Sequence, residues 1–260
     1  LKHRKSIIFT HDLQFMRLKS LNAIKFFEEK FLNINKKLEL STYIKFDYTL
    51  VVSKLEYDVL KDNFFPNEKI ILSGSAHETM HPKKLSKKWD LLYVGASGNK
   101  PNIEGLTYFL KNIWPQLKLL KPDIKIAVAG SIGQDIQYKF KNDKNILILG
   151  YIEDLTKVYA KTKIVIAPLY TGSGIKGKVL EGISNSKVVV TTSTGIEGME
   201  KTVRDCCLVY DETNDWIKSI MSMLKSEEKR KKIEKNAKIW SKKFLTNKYV
   251  WKDLILKIIS

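Results

Sequence analysis

Between Asp90 and Tyr210, six short apolar runs alternate with segments of helical spacing, and few folds can absorb that alternation. The runs are DLLYVG, IKIAVAG, NILILG, KIVIAPL, KVVVTT and CCLVY. Their apolar residues are contiguous rather than interleaved with polar ones, as expected of strands covered on both faces of a parallel sheet. Helices are predicted between them, near 102–120, 153–162, 175–185 and 213–224. Ile103, Leu106, Phe109, Leu110 and Ile113 recur at helical spacing, and Pro115 is expected to help end that helix. Strand and helix at this interval predict a doubly wound α/β domain of Rossmann type over residues 90–225.

Residues 1–75 show the same class in partial form. IIFT and TLVVS read as strands and KIIL as a third, with one long amphipathic helix around 15–40. Asp12 is expected to cap the start of that helix. Two or three strands make a thin sheet, and the chain opens on Leu1 rather than Met. This unit is therefore expected to be truncated or to lean on its neighbour. Residues 76–89, which overlap the small, polar and basic run SGSAHETMHPKKLSKK (73–88), predict a linker. Residues 226–260, with Trp240 and Trp251, predict two closing helices.

Charge narrows the partners. The chain carries 46 Lys and Arg against 28 Asp and Glu, a formal net charge of +18. Residues 225–260 hold twelve basic and four acidic side chains on helix-like sequence. Such a face is either a solvated lysine-rich surface or one drawn to anionic membrane and phosphorylated ligands. Nucleic acid is not expected, because no zinc-ligand spacing, aromatic RNP-like strand or helix-turn-helix pattern accompanies the charge. The apolar runs fall short of the roughly 18–20 residues a membrane-spanning helix needs, and no signal-peptide layout opens the chain. Cys206 and Cys207 are adjacent, which argues against a disulfide and for a reducing, cytoplasmic setting. Of the four histidines, His77 and His81 are four apart but fall in the linker, and no metal site is predicted.

One segment carries chemistry. TGSGIKGKVLE, residues 171–181, follows a buried strand and opens a helix, the place where ligands bind α/β sheets. Gly172, Gly174 and Gly177 permit close approach of backbone amides, and the helix N-terminus offers free N–H donors to phosphate. Lys176 and Lys178 add full charges, and Glu181 offers a carboxylate to a pair of hydroxyls such as those of ribose. A nucleotide fits that combination. An ordinary Gly-rich turn with surface lysines fits the spacing too.

The wider run 168–199, PLYTGSGIKGKVLEGISNSKVVVTTSTGIEGM, resembles the donor-binding stretch of family-4 (group 1) retaining glycosyltransferases of GT-B fold. The likeness is to the subgroup with a G-x-G-x-K-x-K-x-L-E motif. It extends back through YVGASGNKPNIEGLTYFLKNIWP and LGYIEDLTKVYAKTKIVIAPL, in order, over about 110 residues. IIFTHDL and LVVSKLE resemble, more weakly, strand ends of the acceptor-side domain. The resemblance implies one complete Rossmann-type domain, the C-terminal one, plus a partial N-terminal unit. It implies transfer of a sugar from a nucleoside-diphosphate sugar to an acceptor hydroxyl with retention, in surface polysaccharide or glycolipid synthesis. The acceptor would be a glycan or lipid-linked, and the basic C-terminal helices would suit peripheral contact with anionic membrane at its cytoplasmic face. No cofactor or metal is implied. The alternative is a truncated, non-catalytic nucleotide-sugar-binding protein or a partner subunit of another transferase.

Residue by residue, the resemblance implies that Glu181 holds the donor ribose and that Gly174 and Ile175 lie near the sugar and diphosphate. Gly172 and Ser173 belong to the same loop. Lys178, with Lys176, would offset charge on the departing diphosphate. Gly150, Tyr151 and Ile152 would bracket the base, and Gly95 would sit close to the diphosphate. His11 would reach across the cleft to the transferred sugar. Three positions depart from the pattern. Ser173 stands where the family has the first glutamate of its E-x7-E motif. Ala96 stands where it has an arginine, and only Lys100 approximates that arginine's lysine partner. The end of the first domain, P-N-G-V-D-like in the family, reads SGSAHET here.

Overall fold

The computed structural model describes residues 5–10, 12–20, 28–63, 65–78, 85–96 and 98–259. Its larger sheet has six strands: β4 (Trp89–Val94), β5 (Ile126–Ala129), β6 (Ile146–Gly150), β7 (Thr162–Ala167), β8 (Val188–Thr191) and β9 (Leu208–Val209). All pair in parallel, in the order β6-β5-β4-β7-β8-β9. This is the Rossmann order, in which consecutive strands run outward from β4 and then reverse to its other side. The six contiguous apolar runs become these six strands. Alternation within each run still matters, because successive side chains leave a strand on opposite faces. Leu91 and Tyr93 enter one core with Phe109, Trp114 and Trp216, while Leu92 enters the other with Tyr159, Val179, Ile183 and Trp240. Cys206 and Cys207 are free thiols buried in that second core.

Helices α4 (Lys100–Tyr108) and α5 (Trp114–Leu120) cover the first predicted helical span, joined by a π-helical turn, Phe109–Ile113. The expected role of Pro115 needs correcting. The helix runs on past it to Leu120, because the chain widens first: Trp114 N–H donates to Phe109 O, one residue further back than in an α-helix. The proline then falls at the start of the next α-helical segment, where its missing amide costs little. Helices α6 (Gln134–Phe140), α7 (Thr156–Ala160), α8 (Gly177–Ser184) and α9 (Thr213–Lys225) complete the wrapping.

The smaller sheet has three parallel strands in the order β1-β2-β3: β1 (Ile7–Thr10), β2 (Tyr48–Val51) and β3 (Ile70–Leu72). Leu13, Val51, Leu60, Phe65 and Ile70 form its core. Of the helix expected around 15–40, the described residues give α1 (Gln14–Ser20) and α2 (Glu28–Tyr43), and residues 21–27 lie outside the described set; α3 (Lys54–Asp62) follows β2. Asp12 does not cap α1. Glu39, reaching across from α2, accepts from Gln14 N–H at 2.8 Å and Phe15 N–H at 3.0 Å. A carboxylate there answers the positive end of the helix dipole.

The closing segment is three helices rather than two: α10 (Glu227–Phe244), α11 (Asn247–Val250) and α12 (Lys252–Ile259). Trp240 of α10 is buried in the larger domain. By contrast, α12 returns to the small sheet, where Lys257 Nζ donates to Glu68 O at 3.0 Å and Ile70 O at 3.1 Å. Between them, His77 N–H donates to Leu245 O at 3.0 Å, so the linker and the C-terminal turn run side by side. Among the described residues no helix is long and apolar enough to cross a membrane.

Candidate functional site

The strand order reverses between β4 and β7, so the loops leaving their carboxyl ends part and open a crevice. The loop 168–176 leaves β7 there and delivers the chain to the N-terminus of α8. Its exit is fixed from β8: Thr191 Oγ1 donates to Ala167 O at 2.8 Å, and Thr192 Oγ1 donates to Leu169 O. Its other side is fixed by α4, whose backbone presses on the loop at Gly105. A Cβ on Gly105 would lie 1.7 Å from Pro168 O.

The resulting cleft holds about 530 Å³, within the usual range for small-molecule sites. Asp12 and Arg17 of the small-sheet unit form part of one wall; Lys100, Asn102, Ser173, Lys176 and Lys178 are on the facing side. A second cavity of about 610 Å³ lies beyond Ile175, against Trp240, Phe244 and Tyr249, and holds no lysine of the 172–178 loop.

Lys178 is the electrostatic centre of the first cleft. Its ammonium sits 4.6 Å from the centroid of the Tyr93 ring and donates to Asn102 Oδ1 at 2.6 Å and Tyr93 Oη at 3.3 Å. Tyr93 Oη in turn donates to Asn102 O at 2.8 Å. All these partners are neutral. Burial pushes the Lys178 pKa down to about 7, against a smaller pull upward from Glu181. Glu181, one turn further along α8, has its carboxyl pKa raised by burial, an effect tempered by Tyr159 and Lys178. A desolvated cation with neutral partners is costly alone and is stabilised strongly by an arriving anion.

That arrangement sets a pH dependence. In the free protein Lys178 loses its proton as pH rises through about 7. A bound diphosphate favours the charged form and lifts that pKa. Affinity for a nucleoside diphosphate is therefore expected to be flat below about pH 7 and to fall by up to about tenfold per pH unit above it. Calorimetry between pH 6 and 9 checks this, and Lys178→Met should abolish the slope.

Lys176 takes a different course from its neighbour. It is buried, donates to Gly174 O at 2.6 Å and lies 3.8 Å from Glu197 Oε2. Burial lowers its pKa, and Glu197, Asp12 and Glu56 oppose that. Its charge is thus answered by acids of both units, Glu197 of the larger domain and Asp12 and Glu56 of the small-sheet unit. Ser173 Oγ is buried in the same loop without a hydrogen-bond partner. Lys100 is exposed at the rim and pairs with Glu104 at 3.6 Å. Gly172 and Ile175 line the cleft, while Gly95 lines a narrow crevice beside it with Tyr93 and Asn102. Gly150 ends β6, two strands from β4, where it accepts from Gly130 N–H at 2.7 Å. Beside it, Tyr151 is 81% exposed and Ile152 packs on the second core. These three, with Glu181, are not in the cleft lining. His11 lies outside the described residues. Among those described, no group of three His, Cys, Asp or Glu side chains is placed to hold a metal ion.

Sequence reading missed Tyr93, Asn102 and Asp12 as site residues. Tyr93 looks like one more apolar strand position, and its Oη contact with Asn102 exists only once β4 and α4 are folded together.

The sequence model of the family described as "Glycosyl transferases group 1" matches residues 88–226. An uncharacterized 44.6 kDa protein in the cps region of Klebsiella pneumoniae is 29% identical over 204 residues, covering 74% of this chain and 51% of that protein. The chain thus spans about half the length of this curated relative. A mutant of S. aureus TarM in complex with fondaparinux, alpha-GlcNAc-glycerol and UDP superposes with a TM-score of 0.78 at 13% identity, covering 100% of this chain and 52% of that one. Anabaena HepE in complex with UDP and glucose gives 0.72 at 12% identity, covering 99% and 72%. These likenesses show the fold, the α/β arrangement of the GT-B type with its N-terminal unit present in part.

Proposed function

The chain belongs to the group 1 glycosyl transferases, and from that premise we propose that it transfers a sugar from a nucleoside-diphosphate sugar to an acceptor hydroxyl with retention of configuration. The observation that carries this reading is the half-buried, neutrally partnered Lys178 ammonium beside the 172–176 loop and the N-terminus of α8. Diphosphate bound there would meet a full charge, free amides and a helix dipole together. Stabilising charge that develops on a departing group is often the largest contribution an enzyme makes.

In this scheme the bond from the anomeric carbon to the diphosphate breaks while the acceptor oxygen attacks from the same face. The acceptor's proton passes to a phosphate oxygen. Lys178 and the loop amides hold the leaving group, Glu181 holds the ribose, and residues 150–152 bracket the base. Positive charge comes from the protein, and the scheme calls on no metal. The GxGxKxKxLE subgroup assignment belongs to this proposal. Support for a role in polysaccharide synthesis comes from the relative in the Klebsiella cps region and for UDP-linked donors from the ligands in TarM and HepE. A glycan or lipid-linked acceptor and peripheral contact of the basic α10 with anionic membrane, on the cytoplasmic side, complete the reading.

The three-stranded small sheet favours a second reading, a nucleotide-sugar-binding protein that does not transfer. Proton NMR of donor hydrolysis separates the two. Incubation with a panel of nucleotide sugars should release, from one of them, sugar that first appears in the donor's own anomeric form. Binding without hydrolysis would leave the non-catalytic reading; first release of the opposite anomer would refute retention.

A further inference from the structure

We propose that Lys178 is an acylation site: an acyl phosphate enters the cleft and transfers its acyl group to the Lys178 amine, which shuts the donor site. The inference rests on the donor-binding reading above, because the acyl phosphate would use the seat of the donor's diphosphate. Among the described residues of the cleft lining, the amines are those of Lys100, Lys176 and Lys178. Arg17, in the same lining, adds attraction for an anion, but its guanidinium keeps its proton and is no nucleophile. The three amines are not equivalent. Lys100 is exposed and pairs with Glu104 at 3.6 Å. Lys176 is only 9% exposed, donates to Gly174 O at 2.6 Å and lies 3.8 Å from Glu197 Oε2, and Asp12 and Glu56 also favour its charged form.

Lys178 is half-buried, so a small reagent in the cleft can reach it, and its hydrogen-bond partners, Asn102 Oδ1 and Tyr93 Oη, are both neutral. Burial against neutral groups favours the free amine, and only Glu181, on its own helix, pulls the other way. Near neutral pH a large share of Lys178 is therefore unprotonated and nucleophilic, where an ordinary lysine is almost wholly charged. It stands in the first turn of α8, straight after the 172–176 loop, so the amine and the free backbone amides that suit phosphate adjoin one another. In the step proposed, Nζ attacks the carbonyl carbon of the acyl phosphate. The N–C bond forms, the C–O bond to phosphate breaks, and the proton shed by nitrogen leaves on the hydrogen phosphate released. The product is a neutral amide where the diphosphate would otherwise meet a charge. Donor use would then fall as acyl phosphate rises.

The test incubates wild-type protein with acetyl phosphate at pH 7.5 and follows acetylation at each lysine by peptide mass spectrometry. Lys178 is expected to react about tenfold or more faster than Lys100. A saturating nucleoside diphosphate, chosen by calorimetry from a uridine, guanosine, adenosine and thymidine panel, should slow that reaction by a similar factor. Nucleoside diphosphate binding should fall in step with the fraction of Lys178 acetylated. The N-hydroxysuccinimide ester of acetic acid, which carries no phosphate, should show a smaller preference for Lys178. Reaction at Lys178 no faster than at Lys100, or the same preference with both reagents, would overturn the proposal alone. A wild-type protein that binds no nucleoside diphosphate, or binds one without protecting Lys178, would overturn the donor reading and this proposal together.

Discussion

Replacing Lys178 with methionine is expected to lower kcat/KM for donor hydrolysis by roughly 10²- to 10³-fold without unfolding the protein. The ammonium is the charge best placed to meet a diphosphate at the α8 N-terminus, and burial makes it strong there. Methionine keeps the apolar stem and removes a half-buried cation whose hydrogen-bond contacts are neutral. Stability should then stay the same or rise by up to about 2 kcal/mol. Lys100→Ala is the paired control. Its ammonium is exposed and salt-bridged to Glu104 at 3.6 Å, so turnover should change by no more than about twofold, as exposed pairs contribute little. Steady-state kinetics and thermal melts on both variants check the pair. Lost activity in Lys100→Ala with normal Lys178→Met would reverse the assignment and restore the family's usual lysine.

Gly105→Ala tests how the site is held open. By helix propensity alone alanine in the middle of α4 should stabilise the protein by about 1 kcal/mol. The packing predicts the opposite sign, because the new methyl would sit 1.7 Å from the Pro168 carbonyl oxygen. Both neighbours are backbone, so α4 and the 168–176 loop must separate. Destabilisation by about 3 kcal/mol is expected, a fall in melting temperature of roughly 6–12 °C for a chain this size. The movement carries Asn102 away from Lys178, so donor affinity should fall along with stability. A melting temperature at or above that of the wild type would show that α4 does not clamp the loop.

The contrast between these residues shows what sequence conveys and what it withholds. The six sheet strands are legible because both-face burial writes itself as contiguous apolar runs. The loop 172–178 is legible because glycine, lysine and a helix start stand next to one another in the chain. Lys178's surroundings are not, since Asn102 and Tyr93 lie 76 and 85 positions away. Nor does local spacing separate Lys176 from Lys178, although one turns to Gly174 O and Glu197 and the other to Tyr93 and Asn102. Asp12 was misread for a physical reason: an acid before a helix is a good cap, but Glu39 from another helix satisfies the same amides. Pro115 was misread because a π-turn two residues upstream relieves the hydrogen-bond demand that makes proline a helix breaker.

The central claim is that the cleft around Lys178 binds the diphosphate of a nucleotide sugar. Titration calorimetry of nucleoside diphosphates into wild-type and Lys178→Met protein at pH 8, in two buffers of different ionisation enthalpy, addresses it directly. Saturable binding by the wild type, with net proton uptake from buffer as Lys178 regains its charge, and binding weakened by about tenfold or more with that uptake lost in Lys178→Met, is the predicted result. Binding to the variant with unchanged affinity and unchanged proton uptake would place the diphosphate elsewhere and contradict the account.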